Sequence, residues 1–176
     1  ALKTNRKGGI RAITLDEVDQ LEKVLLTSGN DKIIIATRDG AAIRFDENEV
    51  RTMGREASGV RGIRLKDGDQ VISAAKEYPD SYFLTVTENG YGKRTPIEEY
   101  IRGEGGVPQK RGGMGIKNYN ITDKTGLIAG AKAVTEKDDL VVISSDGVLI
   151  RIRVEDIPVY RRTSSGVRIM RIGEDN

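Results

Sequence analysis

Short apolar stretches that end in glycine turns recur along the chain and predict pairs of β-strands. In residues 148–154, apolar side chains at every second position alternate with Arg151 and Arg153, as expected of a half-buried strand. Three dipeptides are strong signals for two-residue hairpins: Asp39-Gly40, Asn89-Gly90 and Asp146-Gly147. We therefore predict strand pairs at 32–37 and 41–45, at 82–87 and 91–95, and at 140–144 and 148–154.

A second pattern, a glycine followed by a β-branched residue and a cation, occurs four times. The copies begin at Gly9, Gly59, Gly115 and Gly166, which gives spacings of 50, 56 and 51 residues. We predict a first strand in each copy and a second strand after each of the first three, at 21–27, 71–76 and 127–135. The apolar residues of 16–26 have helical spacing, but this segment aligns with 66–76, where Gly68 disfavours a helix, and strand is the prediction.

Four strands in about 50 residues are typical of a propeller blade. The predicted fold class is all-β, a propeller-like domain of four-stranded blades over residues 1–176, with about three and a half repeats. The repeat units run roughly over 9–58, 59–114 and 115–165, followed by an extra strand at 166–172. We expect a core that includes Ile33, Ile35, Ile63, Leu65, Leu84, Val86, Val141, Ile143, Ile150 and Ile152.

Composition narrows the possible functions. The chain has no cysteine and no histidine, which excludes disulfides, thiolate metal sites and the commonest general base. We predict no catalytic residue and no metal site. No apolar run near the length of a membrane span and no signal-peptide pattern is visible, so we expect a cytoplasmic protein without a membrane partner. The net charge is only +2, and a nucleic-acid surface would require local segregation of charge.

The middle repeat is longer than the others, and its additional residues lie in the connection that carries a basic, glycine-rich stretch. We call this stretch the glycine box: Gln109-Lys110-Arg111-Gly112-Gly113-Met114-Gly115. Glycines can expose backbone amides, and the two cations add charge, which suits a phosphate oxygen. The stretch is therefore a candidate phosphate-binding loop outside the blade strands.

Other cations are candidate phosphate contacts. One group lies near the box and comprises Lys93, Arg94 and Lys117. Each first-strand pattern also carries one cation at the same position. These cations are Arg11, Arg61, Lys117 and Arg168, and the four could form a belt of phosphate contacts. They could equally pair with an acid in each blade. Arg151 and Arg153 are either DNA contacts or members of a solvated strand face.

The glycine box resembles the Q-R-R-G-G-K-G box in the C-terminal domain of the DNA gyrase A protein. Residues 87–95 and 98–100 and the repeated first strands are similar to the same family, and the similarity covers the whole chain. Met114 departs from the family, which usually has a cation there. The related domain of topoisomerase IV, whose box is usually degraded or missing, and a protein-interaction propeller are the alternatives.

The resemblance implies a six-bladed β-pinwheel with strand exchange between blades and with double-stranded DNA wrapped around its basic rim. By match of position, the resemblance also implies DNA contacts at Gln109, Lys110, Arg111, Gly112, Gly113 and Gly115. It further implies that the domain has no cofactor and serves an ATP-dependent topoisomerase, in which other domains use ATP and Mg. The expected protein partners are the gyrase B subunit together with the rest of the gyrase A subunit. Three and a half repeats leave sheet edges open, so we also predict self-association as one possibility.

Overall fold

The computed structural model of the protein describes residue 5, residues 7–101 and residues 109–172. Part of the predicted insertion, residues 102–108, lies outside the described residues. The described ranges contain ten strands: β1 (Lys32–Thr37), β2 (Ala41–Asp46), β3 (Val71–Lys76), β4 (Tyr82–Thr87), β5 (Tyr91–Pro96), β6 (Ile116–Lys117), β7 (Ile128–Val134), β8 (Asp139–Ile143), β9 (Leu149–Arg153) and β10 (Val167–Arg168). Single-turn 3₁₀-helices at Glu47–Glu49, Ile97–Glu99 and Val154–Asp156 follow β2, β5 and β9.

Three hairpins form at the predicted places: β1–β2, β4–β5 and β8–β9. Each turn ends in a glycine with positive φ, which is 84° at Gly40, 75° at Gly90 and 85° at Gly147. A residue with a Cβ adopts this left-handed region only with strain, whereas glycine does so freely. The local turn chemistry therefore fixes the register of each hairpin.

Strands from different repeats assemble into the blades. Blade 1 has the strand order β3-β1-β2-β6, and blade 2 has the order β10-β5-β4-β7. Each blade takes its central hairpin from one repeat, one outer strand from the next repeat, and the other outer strand from the first-strand pattern of the repeat after that. This arrangement confirms the all-β, propeller-like fold and shows that a blade is not a contiguous stretch of sequence.

Several predicted strands are absent from the described residues. Segments 9–15, 21–27 and 59–65 have neither strand nor helix. The equivalent second-strand segments, β3 and β7, are strands because each adds to the hairpin of the preceding repeat. No hairpin precedes residue 31 in the part of the chain that the structure describes, so segment 21–27 has no partner there. Its apolar side chains are exposed, Val24 by 75% and Leu26 by 87%.

Apolar side chains pack both within and between the blades. A cluster built around Ile34, Phe83 and Tyr100 joins blades 1 and 2, and the Phe83 and Tyr100 rings meet edge to face with centroids 5.4 Å apart. A second cluster packs Leu84 and Val154 between blade 2 and the β8–β9 hairpin. The two clusters bury both faces of β4, not the single face that alternation alone would bury.

The predicted core is confirmed in part. Ile63 and Leu84 are buried, and four others pack against the buried clusters: Ile33, Ile35, Val86 and Ile152. Ile150 is half-buried. Leu65, Val141 and Ile143 are exposed, which contradicts the prediction. The β8–β9 hairpin has no additional strand on either edge among the described residues, and its apolar side chains are covered on one side only.

Candidate nucleic-acid interface

The glycine box leads into β6 and fastens it to blade 1. Gly115 has a φ of +74°, and a Cβ at this position would lie 2.6 Å from the Ala42 carbonyl oxygen. Two residues further, Lys117 pairs with Ala41 on β2. Glycine is required at position 115 because the chain must approach the β2 backbone this closely.

Three backbone amides of the box, those of Arg111, Gly112 and Gly113, already have protein partners. The Arg111 N–H donates to Glu49 Oε2 at 2.8 Å, and the Gly112 N–H donates to the Gly62 carbonyl oxygen at 2.7 Å. The Gly113 N–H points to the Lys110 carbonyl oxygen at 3.4 Å, while the Gly113 carbonyl accepts from the Arg64 N–H. The expectation that these amides form an open phosphate cradle is therefore wrong for this conformation.

Two box side chains also belong to the scaffold. The Arg111 guanidinium donates from Nε to the Glu49 carbonyl oxygen at 3.0 Å and from Nη1 to the Arg61 carbonyl oxygen at 2.6 Å. Gln109 is buried. Lys110 and Met114 are the exposed side chains of the box, Met114 by 54%. The box is thus a clasp between the third repeat and blade 1, with Lys110 left free to meet a ligand.

Lys93 is wholly buried, which contradicts its predicted contact with DNA. Its Nζ donates to the carbonyl oxygens of Arg161 (2.8 Å), Arg162 (2.6 Å) and Ser164 (2.9 Å), and it lies 4.8 Å from the centre of the Tyr119 ring. Burial lowers the pKa of Lys93 to about 7. Its role is to hold the 161–164 loop against β5.

Arg94 also has a structural role in place of the predicted DNA contact. It is 6% exposed, donates to the Ile157 carbonyl oxygen at 2.6 Å, and pairs with Glu136 at 2.8 Å. Arg44, the corresponding residue of β2, is buried and pairs with Glu77 at 2.8 Å. The two arginines connect each hairpin to residues that follow the second strand of the next repeat.

The first-strand cations separate into two groups. Lys117 on β6 and Arg168 on β10 are exposed and occupy the same position on neighbouring blades, opposite Ala41 and Tyr91 respectively. Arg11 and Arg61 are exposed but lie in segments without strand structure. A repeated cationic position is therefore formed by Lys117 and Arg168.

Arg151 and Arg153 lie exposed on β9 and have acidic neighbours. Arg151 pairs with Asp139, and Arg153 pairs with Asp156 at 3.0 Å and with Glu155 at 2.8 Å. Hydrogen bonds to these carboxylates raise the pKa of both arginines above the ordinary value. Exposed ion pairs of this kind are weak, so both side chains can exchange a carboxylate for a phosphate.

A groove of about 510 Å³ opens beside Lys117 and was not predicted from the sequence. Lys66 lines it together with Ala41 and Met114 at the end of the glycine box. Lys66 lies in the turn after the first-strand pattern of the second repeat. The corresponding turn of the third repeat, residues 122–125, contains Lys124. This alignment is the sequence signal that could have identified Lys66.

Tyr91 lies at the corresponding position on blade 2. The Arg168 guanidinium is 5.4 Å from the Tyr91 ring centre and donates to its hydroxyl at 3.2 Å, while Lys124 Nζ is 5.7 Å from the same ring. Burial raises the pKa of Tyr91, but the bond from Arg168 and the two positive charges outweigh it, so the pKa lies below its usual value. This tyrosine was not among the site residues predicted from the sequence.

Other kinds of site find little support in the described ranges. Residues 7–101 and 109–172 contain no group of three or more acidic side chains placed to hold a metal ion. No helix in these ranges has the length and apolar character needed to span a bilayer.

Four-stranded blades that exchange strands with later repeats define a propeller-like β-protein of the pinwheel type. Residues 31–76, 81–135 and 138–176 match the family described as "DNA gyrase C-terminal domain, beta-propeller". The chain therefore belongs to the DNA gyrase C-terminal domain family, which confirms the resemblance based on the box and the repeats.

Individual relatives agree with this assignment. The DNA gyrase A protein of Staphylococcus aureus strain MRSA252 is 42% identical over 175 residues, which is 98% of this chain and 19% of the relative. Its counterpart from strain NCTC 8325 / PS 47 gives the same values. The chain thus spans about a fifth of the length of the curated relatives it matches.

Solved structures extend the comparison to three dimensions. A structure of the DNA gyrase A C-terminal domain matches with a TM-score of 0.83 and 27% identity, over 95% of this chain and 55% of that chain. The C-terminal domain of DNA topoisomerase IV matches with a TM-score of 0.82 and 26% identity, over 91% and 48%. The matches are to C-terminal accessory domains of topoisomerases, and no catalytic domain is matched.

Proposed function

We propose that the chain binds double-stranded DNA and wraps it around the edges of successive blades. The observation that carries this proposal is the equivalent placement of Lys117 and Arg168, two exposed cations in the same register on adjacent blades. A duplex that follows the blades meets a positive charge at the same place on each of them. Lys110 adds a further charge beside blade 1.

The proposed binding is independent of base sequence. Cationic side chains that contact phosphates position the duplex but do not distinguish bases. Affinity should therefore fall steeply with salt, with a log–log slope of about −0.9 for each phosphate neutralised. Strong preference for one site over a random duplex of equal length would contradict this part of the proposal.

Fluorescence anisotropy with a labelled random duplex, at two salt concentrations, tests the function directly. The double variant Lys117→Ala, Arg168→Ala should bind more weakly and with a smaller salt slope. Lys132→Ala, which removes an exposed cation from β7, is the matched control. Wrapping is tested by sealing a nicked plasmid with ligase in the presence of the protein, where wrapped DNA leaves a change in linking number.

We further propose that the chain serves the same role within a larger enzyme. The gyrase A relatives support a place within a gyrase A protein. The proposed partner of that protein is a gyrase B subunit. In that enzyme the wrapping would set the direction of strand passage so that negative supercoils are introduced, while other domains use ATP and Mg. We place the enzyme in the cytoplasm, at the nucleoid, and assign no cofactor to this domain.

Self-association of the isolated chain is a second proposal, and open strand edges favour it. The β8–β9 hairpin has no additional strand on either edge among the described residues, and Val141, Ile143 and Leu149 are exposed on it. Open apolar edges pair readily with other chains. Light scattering should report a mass that grows with concentration, whereas a constant monomer mass would refute this proposal.

A further inference from the structure

Blades 1 and 2 have the same backbone arrangement beside their hairpin turns. Lys117 lies opposite Ala41 on blade 1, and Arg168 lies opposite Tyr91 on blade 2. In both blades the carbonyl oxygen of the turn glycine accepts two hydrogen bonds from the residues that follow the short outer strand. The two places therefore differ in their side chains and not in their backbone.

On blade 1 the small Ala41 side chain leaves an open groove of about 510 Å³. The groove is lined by Lys66 and Lys117, which supply two positive charges, and by one acid, Asp39. Lys117 is exposed, and its Nζ donates to Asn120 Oδ1 at 2.6 Å. The result is a concave, net positive surface, and such a surface suits a phosphate group.

On blade 2 the side chain of Tyr91 takes up the corresponding space. Tyr91 is 7% exposed. Its ring is approached by Arg168, the counterpart of Lys117, and by Lys124, from the turn that corresponds to the turn of Lys66. Both cations rest on the ring at distances typical of cation–π contacts. They are held against the tyrosine and do not line an open groove.

We propose that the blade 1 groove is a seat for a phosphodiester of duplex DNA and that Tyr91 closes the corresponding seat on blade 2. This inference rests on the DNA binding proposed above. It makes the two blades unequal, because the phosphate on blade 1 enters between two lysines while the phosphate on blade 2 meets only the outer side of Arg168. The open seat adjoins Met114, so the tightest contact lies next to the glycine box.

Exchanging the two side chains tests the proposal. Ala41→Tyr copies the filled blade 2 arrangement onto a backbone that has the same register, so the fold is expected to persist. We expect this variant to bind a random labelled duplex roughly threefold to tenfold more weakly, the effect of one or two exposed ion pairs. Its salt slope should become smaller by about 0.9, the contribution of one phosphate. Tyr91→Ala should open a second seat and change both quantities in the opposite direction.

Lys66→Ala tests more specifically whether the groove itself binds the phosphate. It should weaken binding in the wild type and have no further effect in the Ala41→Tyr background, because the seat is already closed there. Asp39→Asn should tighten binding by removing the acid from the groove. If Ala41→Tyr fails to fold, as judged by circular dichroism, the opposite effects of these two variants decide the question.

The outcomes separate this inference from the function on which it rests. A wild-type chain that does not bind duplex DNA overturns both. A wild-type chain that binds, together with a folded Ala41→Tyr variant of equal affinity and salt slope, overturns the seat and leaves the proposed function intact. Equal affinities of Lys66→Ala, Asp39→Asn and the wild type overturn the seat as well.

Discussion

Replacing Lys93 by isoleucine should lower the free energy of unfolding by about 3 kcal/mol. Ile43 and Ile150 occupy the corresponding positions of the other hairpins, so the backbone accepts this side chain. The change removes the donor from three carbonyl oxygens of the 161–164 loop, which lie 2.6, 2.8 and 2.9 Å from Lys93 Nζ. A buried acceptor without a partner costs roughly 1–3 kcal/mol. The loop is only partly buried and water can reach it, so we take about 1 kcal/mol for each carbonyl.

Thermal unfolding followed by circular dichroism measures this loss. For a chain of this size, about 3 kcal/mol corresponds to a decrease in Tm of roughly 6–12 °C. Lys132→Ile, which changes an exposed lysine on β7, is the control and should stay within about 0.5 kcal/mol of the wild type. A loss below about 1 kcal/mol for Lys93→Ile would refute the reasoning, since the three bonds would then contribute no more than one.

The pH dependence of the same pair of proteins gives an independent test. Burial lowers the pKa of Lys93 from 10.5 to about 7, Glu99 opposes this shift, and the charges of Arg162 and Lys117 add to it. At pH values between these two pKa values, Lys93 keeps its proton in the unfolded chain but has released it in the folded chain. The stability contributed by Lys93 therefore increases with pH. The advantage of wild type over Lys93→Ile should therefore grow as the pH rises above 7. A Lys93 ¹³Cε resonance that titrates together with the exposed lysines would contradict the assigned pKa.

Five further variants probe the glycine box and the ion pairs that connect the repeats. Met114→Arg adds a cation beside the groove and should tighten DNA binding with a steeper salt slope, and unchanged anisotropy titrations would make Met114 a packing residue. Arg111→Ala should lower Tm because the clasp loses two hydrogen bonds, whereas Lys110→Ala should weaken DNA binding and leave Tm unchanged. Glu77→Gln should cost roughly 2–3 kcal/mol in chemical denaturation, below the ~3–5 kcal/mol for breaking a buried pair because glutamine retains a hydrogen bond. Glu136→Gln, at a more exposed partner, should cost less, and equal losses would refute the role of burial.

Local signals were sufficient to predict the hairpins but not the assembly of the blades. The Asn89-Gly90 turn and its two strands follow from the left-handed conformation that glycine permits, a property of a few adjacent residues. The pairing of β6 with β2 joins residues more than 70 positions apart, and nothing in either segment alone identifies the other. Segment 21–27 shows the consequence, since its alignment with the other repeats predicts a strand and yet only a partner hairpin would make it one.

Charge was a poor guide to exposure in β5. Lys93 and Arg94 were predicted at the DNA surface because they lie near the glycine box in a stretch that is rich in cations. In blade 2 both faces of β5 are covered, by the 161–164 loop on one side and by the residues before and after the β8–β9 hairpin on the other. The loop and the hairpin come from a later repeat, so their positions cannot be deduced from the alternation within 91–96.

The glycine box shows how a motif suited to one chemistry can serve another. Its glycines permit a close approach to the β2 backbone, and two of its amides bind Glu49 and Gly62, residues that lie far away in the sequence. The box is therefore part of the scaffold, not the separable insertion that repeat lengths predicted. Because the clasp uses the backbone and the Arg111 side chain, Lys110 and position 114 can vary without disturbing it. DNA affinity can thus be adjusted at two exposed side chains while the strand exchange that orders the blades remains unchanged.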